Sequence, residues 1–302
     1  MALLVPVFLN AQVFDSSTEA TKVSTNYGEV AGYIDNDIYT YKGIPYARAE
    51  RFMPAQRPKS WTKVRSSRHW GPVCPQAKNN GWRSDRNSFF YQWNDGYQNE
   101  DCLRLNIWTP GIADGKKRPV LFWLHGGGYT SGNGQEHPGY DGRNLADKGD
   151  VVVVTINHRL NVLGFLDLSA FGEKYKESAN VGLTDIVAAL QWVKENIANF
   201  GGDPDCVTIF GQSGGGGKVS SLLCMPSAQG LFHRAMVMSG SFLGSTPQSL
   251  AREVGVRTAE LLGLNQENID SIQTIPYERL LAVASRAMSD VSSRGKGRVG
   301  WG

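Results

Sequence analysis

The 302-residue sequence lacks the features that mark several broad classes of protein. It has no run of 18 apolar residues, so we expect no transmembrane helix within it. It has no internal repeat, coiled-coil heptad or low-complexity tract, and its net charge of +3 is too small to indicate a nucleic acid or an acidic membrane as partner. With 41% hydrophobic and 20% charged residues, the composition is that of an ordinary globular protein with an ample core.

The most informative segment is Val207–Gly215, which reads Val-Thr-Ile-Phe-Gly-Gln-Ser-Gly-Gly. A β-branched and aromatic run ends at Gly211 and a helix is predicted over 218–224, which is the strand–turn–helix context of the G-x-S-x-G nucleophile elbow. Such a turn exposes one hydroxyl in a strained conformation, and glycines two residues before and after it keep Cβ atoms out of crowded positions. The pattern predicts Ser213 as a nucleophile, with a chance glycine-rich loop as the alternative.

A second glycine motif follows another predicted strand. The apolar run 120–124 is typical of a strand buried on both faces, and it ends at His125-Gly-Gly-Gly. In α/β-hydrolases such a loop directs backbone N–H groups at the substrate carbonyl oxygen, and the residue after the nucleophile adds one more. We therefore predict an oxyanion hole formed by Gly127, Gly128 and Gly214, and a flexible turn is the alternative interpretation.

The predicted elements alternate between strands and helices. Segment 180–205 has apolar residues at helical spacing, and Gly201, Gly202 and Pro204 would end that helix. Short antiparallel strands are predicted over 27–48, and sheet strands over 105–109, 120–124, 151–157, 207–210 and 235–238. From residue 120 onward the strands are separated by helices or long loops, which implies parallel pairing and an α/β fold.

The motifs occur together with further segments in a fixed order. These are Tyr41-Lys-Gly-Ile-Pro-Tyr-Ala, Glu100-Asp-Cys-Leu-Arg-Leu-Asn-Ile, Asn157-His-Arg-Leu-Asn-Val-Leu-Gly-Phe and Phe232-His-Arg-Ala-Met-Val-Met-Ser-Gly-Ser. From about residue 27 onward the sequence resembles the type-B carboxylesterase family, which includes cholinesterases and bacterial para-nitrobenzyl-type esterases. The resemblance implies an α/β-hydrolase fold, with a mostly parallel central sheet and flanking helices, and a small-molecule carboxylic ester as substrate.

Two positions depart from the pattern of that family. The family usually has Glu before the nucleophile and Ala after it, whereas this chain has Gln212 and Gly214. Gln212 removes a negative charge that would lie beside a developing imidazolium. Gly214 still supplies a backbone N–H, so its role in the oxyanion hole is retained.

The sequence lacks an acid and a histidine in the order Ser, Asp or Glu, His that an α/β-hydrolase triad requires. The only histidine after Ser213 is His233, and no Asp or Glu lies between the two. The four other histidines, which precede the serine, are His69, His125, His137 and His158. We interpret His125, His158 and His233 as hydrogen-bonded structural residues. In the family the acid and the base lie beyond the last residue of this chain, so we expect a C-terminally truncated product or a fragment that lacks the last part of the fold.

The N-terminal segment 1–11 is apolar and ends on the small residue Ala11, so we interpret it as the remnant of a signal peptide. It lacks a basic n-region, and a disordered apolar tail is the alternative. Residues 12–302 are then the N-terminal portion of one carboxylesterase-type domain. This interpretation predicts a secreted or periplasmic protein.

The four cysteines fall into two pairs. Cys74 and Cys102 lie where the family has a disulfide, and the aromatic loop 82–97 between them would either line the entrance of the site or pack on the surface. Cys206 and Cys224 do not have the spacing of metal ligands, and we interpret them as buried free thiols. No metal or cofactor site is predicted.

Two classes of function stay open. The first is a serine carboxylic ester hydrolase that forms an acyl-enzyme at Ser213, and the isolated chain would be inert if it depends on the absent acid and histidine. The second is a non-catalytic binding or adhesion module on the same fold. The intact nucleophile and both oxyanion elements favour the first class.

Overall fold

The computed structural model describes residues 14–77, 84–241, 244–296 and 299–301, and the predicted signal segment 1–11 lies outside them. The strands are β1 (Phe14–Asp15), β2 (Lys22–Thr25), β3 (Gly28–Ala31), β4 (Tyr33–Asp35), β5 (Ile38–Pro45), β6 (Arg65–Ser66), β7 (Arg104–Thr109), β8 (Arg118–Leu124), β9 (Val152–Ile156), β10 (Gly202–Gln212) and β11 (Arg234–Met238). The α-helices are α1 (Thr18–Thr21), α2 (Asp85–Phe90), α3 (Arg143–Gly149), α4 (Asn161–Phe165), α5 (Val181–Asn196), α6 (Gly214–Leu223), α7 (Gln248–Leu261) and α8 (Tyr277–Val291). Short 3-10 helices cover Pro138–Tyr140, Ser169–Phe171, Glu173–Tyr175, Ser178–Asn180, Ile197–Phe200, Pro226–Ala228 and Ile269–Thr274, and a π-helical turn, Ser292–Lys296, follows α8.

Within the described residues, eight strands form one sheet in the order β1-β4-β5-β7-β9-β8-β10-β11. The pairs β9–β8, β8–β10 and β10–β11 are parallel, as the sequence predicts for the strands from residue 120 onward. The antiparallel pairs are confined to the N-terminal strands and β9. A smaller sheet of β2, β3 and β6 packs beside the large one, and its Val23 and Val30 belong to the same hydrophobic core. This architecture is the predicted α/β-hydrolase fold.

The centre of the large sheet is covered on both faces. Every residue of β7 and β9 is buried, which explains why β9, Val-Val-Val-Thr-Ile, reads as a nearly continuous apolar run rather than as an alternation. Helix α5 places Ile186, Leu190 and Val193 in the core with no exposed surface. After the 3-10 turn Ile197–Phe200, Gly201 adopts a φ of +75°, which ends the helical segment where the sequence predicts.

A buried ion pair fastens α5 to the loop that follows β9. The Arg159 guanidinium donates to both carboxylate oxygens of Asp185, at 2.8 Å from Nε and 2.7 Å from Nη2. Its Nη1 also donates to the backbone carbonyl oxygens of Glu50 and Met53. Asp185 has no exposed side-chain surface and Arg159 only 5%, so the pair is almost completely removed from solvent.

The sheet ends at β11, beyond which no described strand pairs. Arg234, Ala235 and Met236 are exposed there, and 54% of the Met236 surface is accessible. Helices α7 and α8 pack against each other, and α8 also contacts α4. Strand β10, which leads to Ser213, therefore lies one position from the edge of the described sheet.

Candidate active site

Ser213 stands at the turn between β10 and α6. It has a φ of 57° and a ψ of −123°, a conformation that side-chain-bearing residues rarely adopt. Its backbone N–H donates to the Met238 carbonyl oxygen at 2.8 Å, and its carbonyl oxygen accepts from Gly217 at 3.0 Å. These two bonds hold the serine in the strained turn predicted for a nucleophile elbow.

Gly211 and Gly215, two residues before and after Ser213, leave no room for a Cβ atom. A Cβ atom on Gly211 would lie 2.5 Å from the carbonyl carbon of Gly215, and one on Gly215 would lie 2.0 Å from the carbonyl oxygen of Leu124. Backbone cannot move aside as a flexible side chain can. Glycine at both positions therefore allows the backbones of β10 and α6 to approach closely on either side of Ser213.

Residues 125–128, which we call the glycine loop, lie directly against this turn. A Cβ on Gly126 would lie 3.2 Å from the Gln212 carbonyl oxygen and 3.7 Å from Ser213 Cβ. Gly127 and Gly128 have φ values of +84° and +64°, where L side chains are strained. Gly214, the third predicted oxyanion donor, begins α6 with its backbone in contact with Gly128. The structure thus brings the predicted donors and the serine together.

One cavity of about 780 Å³ contains this arrangement. The predicted site residues Ser213, Gly127 and Gly128 belong to its wall. The other lining residues are Tyr91, Trp93, Gly126, Ser131, Glu136, His137, Tyr140 and Gln212. Two members of the aromatic loop, Tyr91 and Trp93, therefore line the cavity, whereas Phe89, Phe90 and Tyr97 are largely exposed. Trp82 lies outside the described residues.

The carboxyl group of Glu136 is the acidic side chain among these lining residues, and only 4% of Glu136 is exposed. Its Oε2 accepts from the backbone N–H of Asn133 at 3.2 Å, and the Tyr140 hydroxyl donates to the carboxyl group. Burial raises the pKa of Glu136 to about 7. The group therefore changes charge close to neutral pH, within the cavity that holds Ser213.

The histidines occupy different environments. The rings of His125 and His158 are fully buried and stack with centroids 5.1 Å apart, and each Nδ1 donates to a neighbouring carbonyl oxygen at 2.8 Å. Burial, followed by the charge of Lys218, lowers the pKa of both rings well below the usual value. His233 Nδ1 accepts from the Val207 N–H at 3.2 Å. His137 alone among the five borders the described cavity.

Sequence reasoning did not single out Glu136, His137, Tyr140 or Lys218. Glu136, His137 and Tyr140 follow the glycine loop within a segment that has no periodic pattern, so only their closeness to that loop could have indicated a role. Lys218 reads as an ordinary residue of the helix after the serine, yet it has no exposed surface.

The cysteine predictions have mixed outcomes. Cys74 and Cys102 lie side by side as buried thiols joined by a hydrogen bond, and the disulfide stays a prediction. That bond, followed by burial, raises the pKa of the Cys102 thiol. Cys206 and Cys224 are free thiols as predicted, but the prediction that they are buried is wrong. Cys224 is exposed because α6 ends one residue before it, and Cys206 is partly exposed in β10.

Among the residues that the structure describes, no helix has the length and apolarity needed to cross a bilayer. The same residues contain no cluster of three or more His, Cys, Asp or Glu side chains placed to hold a metal ion.

The strand–serine–helix turn and the glycine loop that faces it define the class of this protein as an α/β-hydrolase. The sequence model of the carboxylesterase family matches residues 19–300, and the chain belongs to that family.

Individual relatives support this assignment. The chain is 42% identical over 268 residues to the para-nitrobenzyl esterase of Bacillus subtilis (strain 168), which covers 87% of this chain and 52% of that protein. It is 36% identical over 262 residues to neuroligin-2 of Mus musculus, covering 74% of this chain and 30% of that protein. A solved esterase from Clostridium hathewayi, said to hydrolyse aliphatic aromatic polyesters, superposes with a TM-score of 0.87 at 43% identity, over 96% of this chain and 57% of that one. The chain spans about half the length of these two esterases.

Proposed function

We propose that the chain carries the nucleophile and the oxyanion hole of a serine carboxylic ester hydrolase. The observation that supports this most is the strained Ser213 turn facing the glycine loop across one cavity. The family membership and the names of the esterase relatives agree with it.

In the proposed reaction, Ser213 Oγ attacks the carbonyl carbon of the ester and loses its proton to a base. The N–H groups of Gly127, Gly128 and Gly214 donate to the negatively charged oxygen of the tetrahedral intermediate. Collapse of the intermediate releases the alcohol and leaves an acyl-enzyme, which water hydrolyses to the acid. Losing one such donor typically lowers the rate by a factor of about 10² to 10³.

The cavity wall favours esters that carry an aromatic group. Tyr91, Trp93 and Tyr140 line the same cavity as Ser213. Aromatic rings pack favourably on one another in offset or edge-on contacts. The names of the two esterase relatives, which refer to a nitrobenzyl group and to aromatic polyesters, point to the same class of substrate.

We further propose that residues 1–302 alone turn over an activated ester slowly. No acid and histidine follow Ser213 in the triad order, and removing a triad member costs several orders of magnitude in rate. Hydrolysis of nitrophenyl acetate should be about a thousandfold or more slower than in a full-length relative. Full turnover by this chain, lost when His137 is replaced, would show that a base is recruited from the cavity wall.

The assignment of Ser213 is tested by covalent labelling. A fluorophosphonate transfers its phosphonyl group to the serine oxygen with release of fluoride, and intact mass spectrometry counts the groups attached. The wild-type chain and Ser220→Ala, a control in the helix that follows Ser213, should take up one group, and Ser213→Ala none. Labelling of Ser213→Ala at the wild-type level would refute the nucleophile. Absence of labelling in the folded wild type even on prolonged incubation, which allows for the slow reaction of a serine without its triad partners, would favour the non-catalytic binding or adhesion module.

A further inference from the structure

Lys218 carries a buried amine that contacts the glycine loop. It lies in α6, five residues after Ser213, and has no exposed surface. Its Nζ donates to the backbone carbonyl oxygen of His125 at 3.1 Å and lies 5.7 Å from the centre of the Tyr129 ring. Burial lowers the pKa of Lys218 to about 7. A buried amine is unfavourable unless it is paired, so these contacts call for an explanation.

The titratable neighbours of Lys218 belong to three segments. Glu136 interacts with it electrostatically and favours its protonated form. His125 and His158, which Lys218 also faces, are held neutral by burial and by its charge. Around Glu136 itself, the Tyr140 hydroxyl donates to the carboxyl group, while the negative charge of Asp95 disfavours ionisation.

The hydrogen bond from Lys218 to His125 joins two parts of the proposed oxyanion hole. His125 opens the glycine loop, whose N–H groups at Gly127 and Gly128 follow within three residues. On the other side, Gly214 lies one helical turn before Lys218 in α6. In addition to the close backbone contact between Gly128 and Gly214, this bond therefore ties the donors of the loop to the helix that carries the third donor. Such donors need placement to within about 0.5 Å.

We propose that Lys218 is a positioning residue, whose buried amine holds the glycine loop against the helix that follows Ser213. Glu136 is the acidic group that favours the charged form of this amine. The inference rests on the proposed function, because the loop matters only if its N–H groups receive an oxyanion. It also predicts how the site responds to pH, since the amine loses its charge, and the tether weakens, as the pH rises through neutrality.

The test compares Lys218→Met with Lys194→Met. Lys194 is a matched control because its Nζ also donates to a backbone carbonyl oxygen, that of Gly230 at 3.0 Å, but on the exposed face of α5. The readouts are the rate constant of fluorophosphonate labelling at Ser213 between pH 6 and 9 and the hydrogen exchange of peptides covering 125–132. Far-ultraviolet circular dichroism checks that each variant is folded.

We expect Lys218→Met to lower the labelling rate about tenfold or more and to remove the part of its pH dependence that comes from the amine, leaving the part that comes from Glu136. Exchange should accelerate in 125–132 and stay unchanged in 202–212. Lys194→Met should match the wild type in every readout. Glu136→Gln should make the amine titrate at lower pH, so its labelling profile should shift in that direction.

Three results would overturn the proposal. The first is a folded Lys218→Met with the wild-type labelling rate and hydrogen exchange. The second is a folded Lys218→Met that is labelled more slowly but keeps the wild-type pH profile, which would indicate a merely structural role. The third applies if Lys218→Met does not fold, and it is a labelling profile of Glu136→Gln that is not shifted in pH. If the wild type is not labelled at all, the proposed function fails, and exchange in 125–132 still decides whether Lys218 holds the loop.

Discussion

The backbone of Gly214 touches that of Gly128 so closely that a Cβ atom on Gly214 would lie 2.4 Å from both the Cα and the N atom of Gly128. Neither contact atom belongs to a flexible side chain. The carboxylesterase pattern usually has alanine after the nucleophile, so the glycine loop here lies closer to α6 than an alanine would permit.

Restoring that alanine should therefore impair the site. Gly214→Ala is expected to push Gly128 away from Ser213 and to lower the rate of fluorophosphonate labelling about tenfold or more, because a displaced oxyanion donor loses most of its effect. Gly244→Ala is the control, since a Cβ there meets no atom within 4 Å. An unchanged rate in a folded Gly214→Ala would show that the loop yields without consequence.

Breaking the Arg159–Asp185 pair should destabilise the whole fold. Asp185→Asn leaves a buried guanidinium without its counter-charge, and we expect a loss of about 3–5 kcal/mol in the free energy of unfolding. Glu173→Gln removes the partner of the exposed Lys176 and should cost less than about 1 kcal/mol. Urea titration of both variants measures the difference, and equal losses would contradict the assignment.

The stacked histidines should make stability depend on pH. The pKa values of His125 and His158 lie well below 6.5 in the folded chain and return to about 6.5 on unfolding. The unfolded chain therefore binds more protons as the pH falls below about 6.5, and stability decreases there. The raised pKa of Glu136 makes stability increase as the pH falls, which opposes the effect of the histidines. The measurement must therefore compare proteins that differ in a single histidine.

That comparison uses His158→Gln and the exposed His69→Gln. The midpoint of urea unfolding should fall less steeply between pH 7 and 5 in His158→Gln than in the wild type, whereas His69→Gln should keep the wild-type slope. Identical slopes in all three proteins would show that the buried ring does not contribute to the acid sensitivity.

The adjacent thiols lead to a prediction about oxidation. In an oxidising compartment, Cys74 and Cys102 should form a disulfide, because the two side chains already meet. In the chain-entropy description, a loop of this length contributes roughly 3–4 kcal/mol to stability. Peptide mapping without reductant should show this pair joined and the exposed Cys224 alkylated. Recovery of all four cysteines as thiols from oxidised, folded protein would refute it.

The local parts of the site could be predicted from the sequence, whereas its wall could not. Ser213 and the glycine loop are encoded by contiguous residues with special backbone requirements, so their motifs suffice. The beginning of α6 was predicted four residues late because glycine is a poor helix former. Tertiary contacts explain the difference, since a Cβ on Gly216 would lie 2.8 Å from the Met238 carbonyl oxygen.

The cavity wall is assembled from segments with no periodic pattern. Tyr91 and Trp93 come from the loop after α2, while Glu136, His137 and Tyr140 come from the segment after β8. Nothing in either segment alone shows that they meet. The burial of Lys218 was missed for a similar reason, since a lysine in a helix is usually exposed and only the chain folded around it shows otherwise.

The hydrogen bond from Ser213 to Met238 links the strained turn to the last strand of the described sheet. Outer strands fray at a lower free energy than central ones. Each time β11 frays, the serine loses the acceptor of its N–H and its backbone can relax out of the strained geometry. We therefore expect the fraction of reactive molecules to depend on local opening of β11, outside the cavity, and an osmolyte that favours the folded state to raise reactivity without contacting any lining residue.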